Sequence, residues 1–230
     1  MFPLTRARYC RPLARPASRP LAALLVAVLA TVVAACGGAG ATFDPSGTCG
    51  ADGKIAGAYP NLQVLLPTTF DGKAPTSVDS GRHCSEAALG SLITHDAAGV
   101  EFAGATWDLG SGTGVSSVLF SLPGRDLPAA WIAEFYEIGA RTAKRTEHIE
   151  TSRPTFGGAG ETWRLDTLND LSFQTVITWG DGGIVRVVLV ATPVGPDASR
   201  AAHDELVAKA IAATVAASAV PSPVAASPSG

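Results

Sequence analysis

Four cysteines, four histidines and four tryptophans carry most of the chemical options of this 230-residue chain. The histidines are His83, His95, His148 and His203. None stands three or four residues from another, so no helix offers a metal two imidazoles on one face. His148 lies in Glu147-His148-Ile149-Glu150, where strand alternation puts His148 and Glu150 on one face. An imidazole beside a carboxylate can hold zinc or pass protons. The alternative is a solvated edge strand carrying charges. Asp166, Asn169 and Asp170 offer calcium-like oxygens without the alternating Asp/Asn order of an EF-hand loop, and read as a polar turn. The glycine-rich stretches 110–114 (GSGTG) and 157–160 (GGAG) do not read as phosphate loops. A phosphate loop must open a helix whose amides face the anion, and a strand follows here. The serines fall in turns, caps or strands with no recognisable base. No catalytic residue, metal ligand or cofactor site is therefore assigned.

The cysteines, Cys10, Cys36, Cys49 and Cys84, include no C-x-x-C pair. Their meaning depends on the start of the chain. Residues 1–20 hold Arg6, Arg8, Arg11, Arg15 and Arg19 and no acid. Residues 21–35 (LAALLVAVLATVVAA) follow, apolar except for Thr31. As a helix these would rise about 22 Å, short of the roughly 30 Å hydrocarbon core. That is the charged-then-apolar order of an export signal rather than a permanent span. The run closes in Val33-Ala34-Ala35-Cys36.

This ending resembles the lipobox of bacterial lipoproteins. The resemblance covers residues 1–36 and implies diacylglyceryl transfer to the Cys36 sulfur, cleavage after Ala35, and often acylation of the new amino terminus. The alternative is an ordinary secretory peptide with a chance cysteine. Two or three acyl chains hold a protein firmly on a membrane. Gly37 follows the cysteine, so for a host with two membranes the resemblance implies no inner-membrane retention signal. The implied place is the outer face of the cell membrane, with the bilayer as partner through the acylated Cys36.

Processing at Cys36 would remove Cys10 and engage Cys36, leaving Cys49 and Cys84 in an oxidising compartment. We expect them to form a disulfide; a redox or metal pair is the alternative. Removing residues 1–35 also takes five arginines, leaving 12 basic against 20 acidic residues, a net charge of −8. Such a chain is a poor candidate for nucleic acid or anionic lipid.

The elements that would position any site follow a repeated pattern. Thr69-Phe70-x-Gly72 with Thr76 matches Thr155-Phe156-x-Gly158 with Thr162. After each, a tryptophan (Trp107, Trp179) precedes a glycine-rich turn, an apolar strand and a proline. Asp126 or Asp197 then opens a helix. We read an internal duplication. The first copy is longer by a helix over 84–97, capped by Ser85, with Leu89, Leu92 and Ile93 on one face. Phe173, Thr175, Ile177 and Trp179 alternate along a strand. GDGG at 180–183 turns it into a second, IVRVVLVAT, apolar on both faces and hence central. Asn61 to Leu66 reads as a first strand or lead-in. Trp131, Phe135 and Ile138 fall on one face of a helix, with Ile132 and Tyr136 alongside. In the last helix Leu206, Val207, Ala210 and Ile211 face inward.

The expected fold class is α+β, an antiparallel sheet with helices packed on one side. Its expected divisions are a signal peptide at 1–35, a lipidated cysteine and flexible tether at 36–58, a duplicated body at 59–216 (copies about 59–145 and 146–216), and a disordered Ala/Pro/Ser tail at 217–230. The body resembles the uncharacterised duplicated α+β lipoproteins of high-GC bacteria, a resemblance that rests on the repeat and transfers no activity. Trp107 and Trp179 either each cover their own copy's core or wall a cleft between the copies, where a small apolar or sugar ligand stacks. The expected function is a non-catalytic binding or interaction module whose partner is such a ligand or an envelope protein. An envelope hydrolase and a purely structural spacer are the alternatives.

Overall fold

The structure, a computed structural model, describes residues 43–195 and 198–218. Its frame is a hairpin. Strand β9 (Ser172–Asp181) pairs along its length with β10 (Ile184–Pro193). The turn between them places Gly182 and Gly183 at φ 61° and 85°. Glycine holds such angles more readily than any residue with a side chain, and at Gly183 an added Cβ would also lie 2.5 Å from Asp126 Oδ1. A second hairpin joins β3 (Val100–Gly110) to β4 (Thr113–Ser121). Its turn is the 110–114 stretch, with Gly110, Ser111 and Gly112 all at positive φ. Strands β4 and β10 pair antiparallel and fuse the hairpins. Strands β1 (Gly53–Lys54), β2 (Ser77–His83), β5 (Glu147–Ser152) and β8 (Trp163–Leu168) complete an eight-stranded sheet in the order β1-β2-β3-β4-β10-β9-β8-β5. A separate ribbon joins β6 (Thr155–Phe156) to β7 (Gly160–Glu161), turning through the 157–160 glycines.

The fold is thus α+β and antiparallel, as expected, with IVRVVLVAT at its centre. The helices, expected on one side, lie on both. Val185 and Val187 of β10 point to one face and Val188 and Val190 to the other, all at most 1% exposed. A strand apolar on both faces requires a cover on each. Helix α1 (Pro60–Gln63) and helix α4 (Arg200–Ser218) cover the face bearing Trp107, Leu119, Ile177 and Trp179. One-turn helix α2 (Glu86–Leu89), a 3₁₀ segment (Gly90–His95) and helix α3 (Ala129–Thr142) cover the opposite face, around Val118, Phe120 and Val187. Three strands and a helix do occur twice, as β2-β3-β4-α3 and β8-β9-β10-α4. Yet the two helices take opposite faces. Phe70 is buried beneath a single turn, whereas Phe156 is half-buried in the ribbon. This arrangement does not establish a duplication.

Several local expectations change. The apolar run at 61–66 is no strand: Pro60 at the first helical position starts α1. Ser85 caps α2 by accepting the Ala88 N–H. Gly90, at φ 51°, then tightens the chain into a 3₁₀ segment, and the altered period leaves Ile93 40% exposed. In α3 the helix begins after Pro128 rather than Asp126. Ala129 and Ile132 face inward, and Ile138 is 42% exposed. The tail expected from 217 begins later, since Ala217 and Ser218 still belong to α4; Asp197, Cys36 and residues 219–230 lie outside the described residues.

The segment up to 58, assigned to a flexible tether, is held on the body from residue 44 onward. The buried Arg82 guanidinium donates to the carbonyl oxygens of Asp44, Gly47 and Thr48. Cys49 and Cys84 form the expected disulfide, Cα atoms 5.4 Å apart. Asp52 accepts the backbone N–H groups of Cys84 and Ser85 and the Ser85 hydroxyl. Burial works against the Asp52 carboxylate, yet these bonds hold its pKa below the usual value. The disulfide agrees with an oxidising compartment. Among the described residues no helix is long and apolar enough to cross a membrane.

Candidate functional site

Trp107 and Trp179 are core residues, each 2% exposed, and wall no cleft. The Trp107 indole donates to the Lys73 carbonyl at 3.1 Å and packs against Phe70. The repeat made both tryptophans conspicuous, but both stand on the face that α1 and α4 seal.

A groove does lie between the two halves, on the opposite face, with a different tryptophan in it. Helix α3, from the first half, crosses β8, β9 and β10 of the second, and β5 lies beyond β8 at the sheet edge. The uncovered strip is about 320 Å³ in volume. Trp163, Leu165, Val176 and Thr178 line its floor, because odd positions of β8 and even positions of β9 share that face. Ala130, Ala133, Glu134 and Glu137 line the helical wall at i, i+3, i+4 and i+7. The alanines keep that wall thin, and the carboxylates form its rim. Thr151, Ser152 and Arg153 line the far wall. The Arg153 guanidinium sits over the Trp163 ring, 4.3 Å from its centroid, and bonds Glu161 at 3.2 Å. Tyr136 also lines the groove, and burial pushes its phenol pKa above the ordinary value. Sequence reasoning missed Trp163. The available signal was its alternation with Leu165 on the strand preceding the hairpin.

Helix α3 is positioned by its other flank. The His95 ring stacks on Trp131 at 4.4 Å and 6°, and its Nε2 lies 2.8 Å from Glu134 Oε2. Arg125 covers the same indole at 5.4 Å.

A second polar cluster fastens α4 and was likewise not legible. The Thr175 hydroxyl donates to Asp166 Oδ1, so it accepts from His203 Nε2–H, 2.7 Å away. His203 Nδ1 is then the acceptor for the Thr192 hydroxyl at 2.8 Å. The network thereby assigns the imidazole its tautomer. Burial keeps the His203 pKa below the ordinary value, with the Arg200 charge adding to it. Burial works against the Asp166 carboxylate, but hydrogen bonds from Arg164 and Thr175 and the charges of Arg164 and Arg200 hold its pKa low. Arg164 also reaches Asp204. Thr192 and His203 border a shallower groove of about 670 Å³ with aliphatic walls from Leu109, Val194 and Leu206. Pro196 and Asp197, beside it in sequence, lie outside the described residues.

The remaining candidates stay apart. His148 is exposed at φ 47°, where the β5–β8 pairing shifts register between Glu147 and Glu150. That irregularity removes the simple alternation expected of His148 and Glu150. Asn169 Oδ1 accepts from the Leu171 and Ser172 amides, so it shapes a turn, while Asp166 points to Thr175 and Arg164. Among the described residues no three His, Cys, Asp or Glu side chains cluster to hold a metal ion.

Comparison with protein-family models, with curated proteins and with solved structures finds no match.

Proposed function

We propose that the chain is a non-catalytic binding module of the cell envelope, anchored through an acylated Cys36, with its ligand in the α3–β8 groove. The observation that carries this reading is the groove itself. It is open, floored by an indole and edged by charges, and its volume of about 320 Å³ falls at the lower end of ligand sites, about 300–1,000 Å³. The occupant is a small ligand or an exposed group of an envelope protein. Tryptophan fluorescence of the full chain, titrated with chitotriose, octanol and choline, tests it. Ala133→Leu, which fills the groove from the thin wall, should remove the response. Binding undiminished in that variant, or absent throughout, refutes the reading.

One observation favours the hydrolytic alternative: Thr192, His203, Thr175 and Asp166 form an ordered hydroxyl–imidazole–hydroxyl–carboxylate chain beside the second groove. It ranks second because His203 is 1% exposed and the four groups already satisfy one another. Turnover of p-nitrophenyl acetate that vanishes in Thr192→Val would reverse the ranking.

A further inference from the structure

Arg153 occupies the place in the α3–β8 groove that a ligand would be expected to take. Its guanidinium carbon stands 4.3 Å from the Trp163 centroid, within the range where a cation is drawn to an aromatic face. Its acidic partner Glu161 is a weak tie, since the side chains are 58% and 65% exposed. The stacked cation is therefore displaceable. Across the groove stand Glu134 and Glu137. His95 engages Oε2 of Glu134, and Arg141 engages Oε1 of Glu137. Arg164, the other cation bordering the groove, is bound to Asp166 and Asp204. An anion entering here would meet the two carboxylates of α3. A neutral sugar would gain the indole face only by removing a cation from it, with no charge to put in its place.

Resting on the reading of this groove as the ligand site, we infer that its ligand carries an organic cation, an ammonium or guanidinium group. That group displaces Arg153 from Trp163 and faces Glu134 and Glu137. The same chemistry is offered by a free quaternary amine and by a lysine or arginine side chain of a partner protein.

The test uses the full chain in a nonionic polyoxyethylene detergent, followed by tryptophan fluorescence and calorimetry. The probes are choline, its uncharged isostere 3,3-dimethylbutanol, the peptides Gly-Lys-Gly and Gly-Arg-Gly, and chitotriose. At least one cationic probe should bind, and where choline binds, the isostere should bind about tenfold more weakly. Binding of choline alone identifies a free amine, and binding of the peptides alone a side chain. Arg153→Ala should tighten cation binding about two- to fivefold by removing the resident competitor. Arg153→Gln serves the same purpose should the alanine variant fold poorly. Glu137→Gln and Trp163→Phe should each weaken it. Equal affinity for choline and its isostere, binding of chitotriose alone, or weaker cation binding in both Arg153 variants overturns the cationic ligand and leaves the groove a binding site. No binding of any of these probes, nor of octanol, overturns both readings.

Discussion

His203 Nε2 lies 2.7 Å from Thr175 Oγ1, so the last helix is fastened to β9 by a hydrogen bond inside the core. Protonating that imidazole would oblige both of its nitrogens to donate, and Thr192 would have to reverse its hydroxyl. The folded pKa of His203 lies below the ordinary value of about 6.5. Its contribution to stability is thus full above that pH and is lost as pH falls from there through the folded value. The melting temperature should decline from pH 7 to pH 5. His203→Gln should cost about 1–3 kcal/mol at pH 7 by disrupting both hydroxyl contacts, and should flatten the decline. Burial shifts His83 the same way, so part of the slope should persist. An unchanged slope in the variant would count against the buried neutral imidazole.

Asp166 and Asp204 both bind Arg164, but Asp166 is 11% exposed and Asp204 42%. Asp166→Ala should cost about 3 kcal/mol, because Arg164 and Thr175 lose their shared acceptor below α4. Asp204→Ala should cost under about 1 kcal/mol. Urea unfolding of the two variants checks this, and equal losses would contradict it.

The inward face of α3 is set by Ile132, 0% exposed, rather than Ile138, 42% exposed. Ile132→Ala should destabilise by about 2–5 kcal/mol and Ile138→Ala by about 0.5 kcal/mol or less. A reversed order would mean that α3 is rotated about its axis.

The disulfide should leave Cys49 and Cys84 inert to alkylation until reduced. In the loop-entropy account, replacing both by serine should cost about 3–4 kcal/mol, given their separation of 35 residues. Gly99 bears on the same staple, since a Cβ there would lie 2.2 Å from Cys49 Sγ. Gly99→Ala should therefore also lower the melting temperature of the oxidised protein.

Acylation at Cys36 is checked directly by fatty-acid labelling. Wild type should incorporate label and Cys36→Ala should not. Equal labelling would remove the anchor from the proposed function.

The sheet was legible because β9 and β10 announce themselves by alternation around a GDGG turn, and the positions of Val185 to Val190 demand a central place. The helix-to-face assignment was not. A strand apolar on both sides states that two covers are needed without saying which helix goes where. The run at 61–66 misled because its apolar content outweighed Pro60, whose fixed φ suits a helix start. The groove was hidden for a related reason. The alternation of Trp163 with Leu165 marks a strand face, but the groove above it depends on how α3 crosses β8, which no local spacing states. His203 looked isolated because its partners, Thr175 and Thr192, come from two strands. In hindsight its stripe with Val207, Ala210, Ile211 and Thr214 placed it inside.

The clasp at the start of the described chain has a mechanical meaning. Tension applied at Phe43 first strains the three hydrogen bonds from Arg82 and then meets the covalent stop at Cys49. From there the load passes through Cys84 to the end of β2, whose pairings with β3 run from Ser77 to His83. The stretch from Cys49 to Cys84 is thereby withdrawn from the length that pulling can release. The short strand β1 inside it is spared the role of first element to peel. With the bond reduced, the same pull would reach β1 before β2, and the chain between Cys49 and β2 would be drawn on before the β2–β3 ladder gave way.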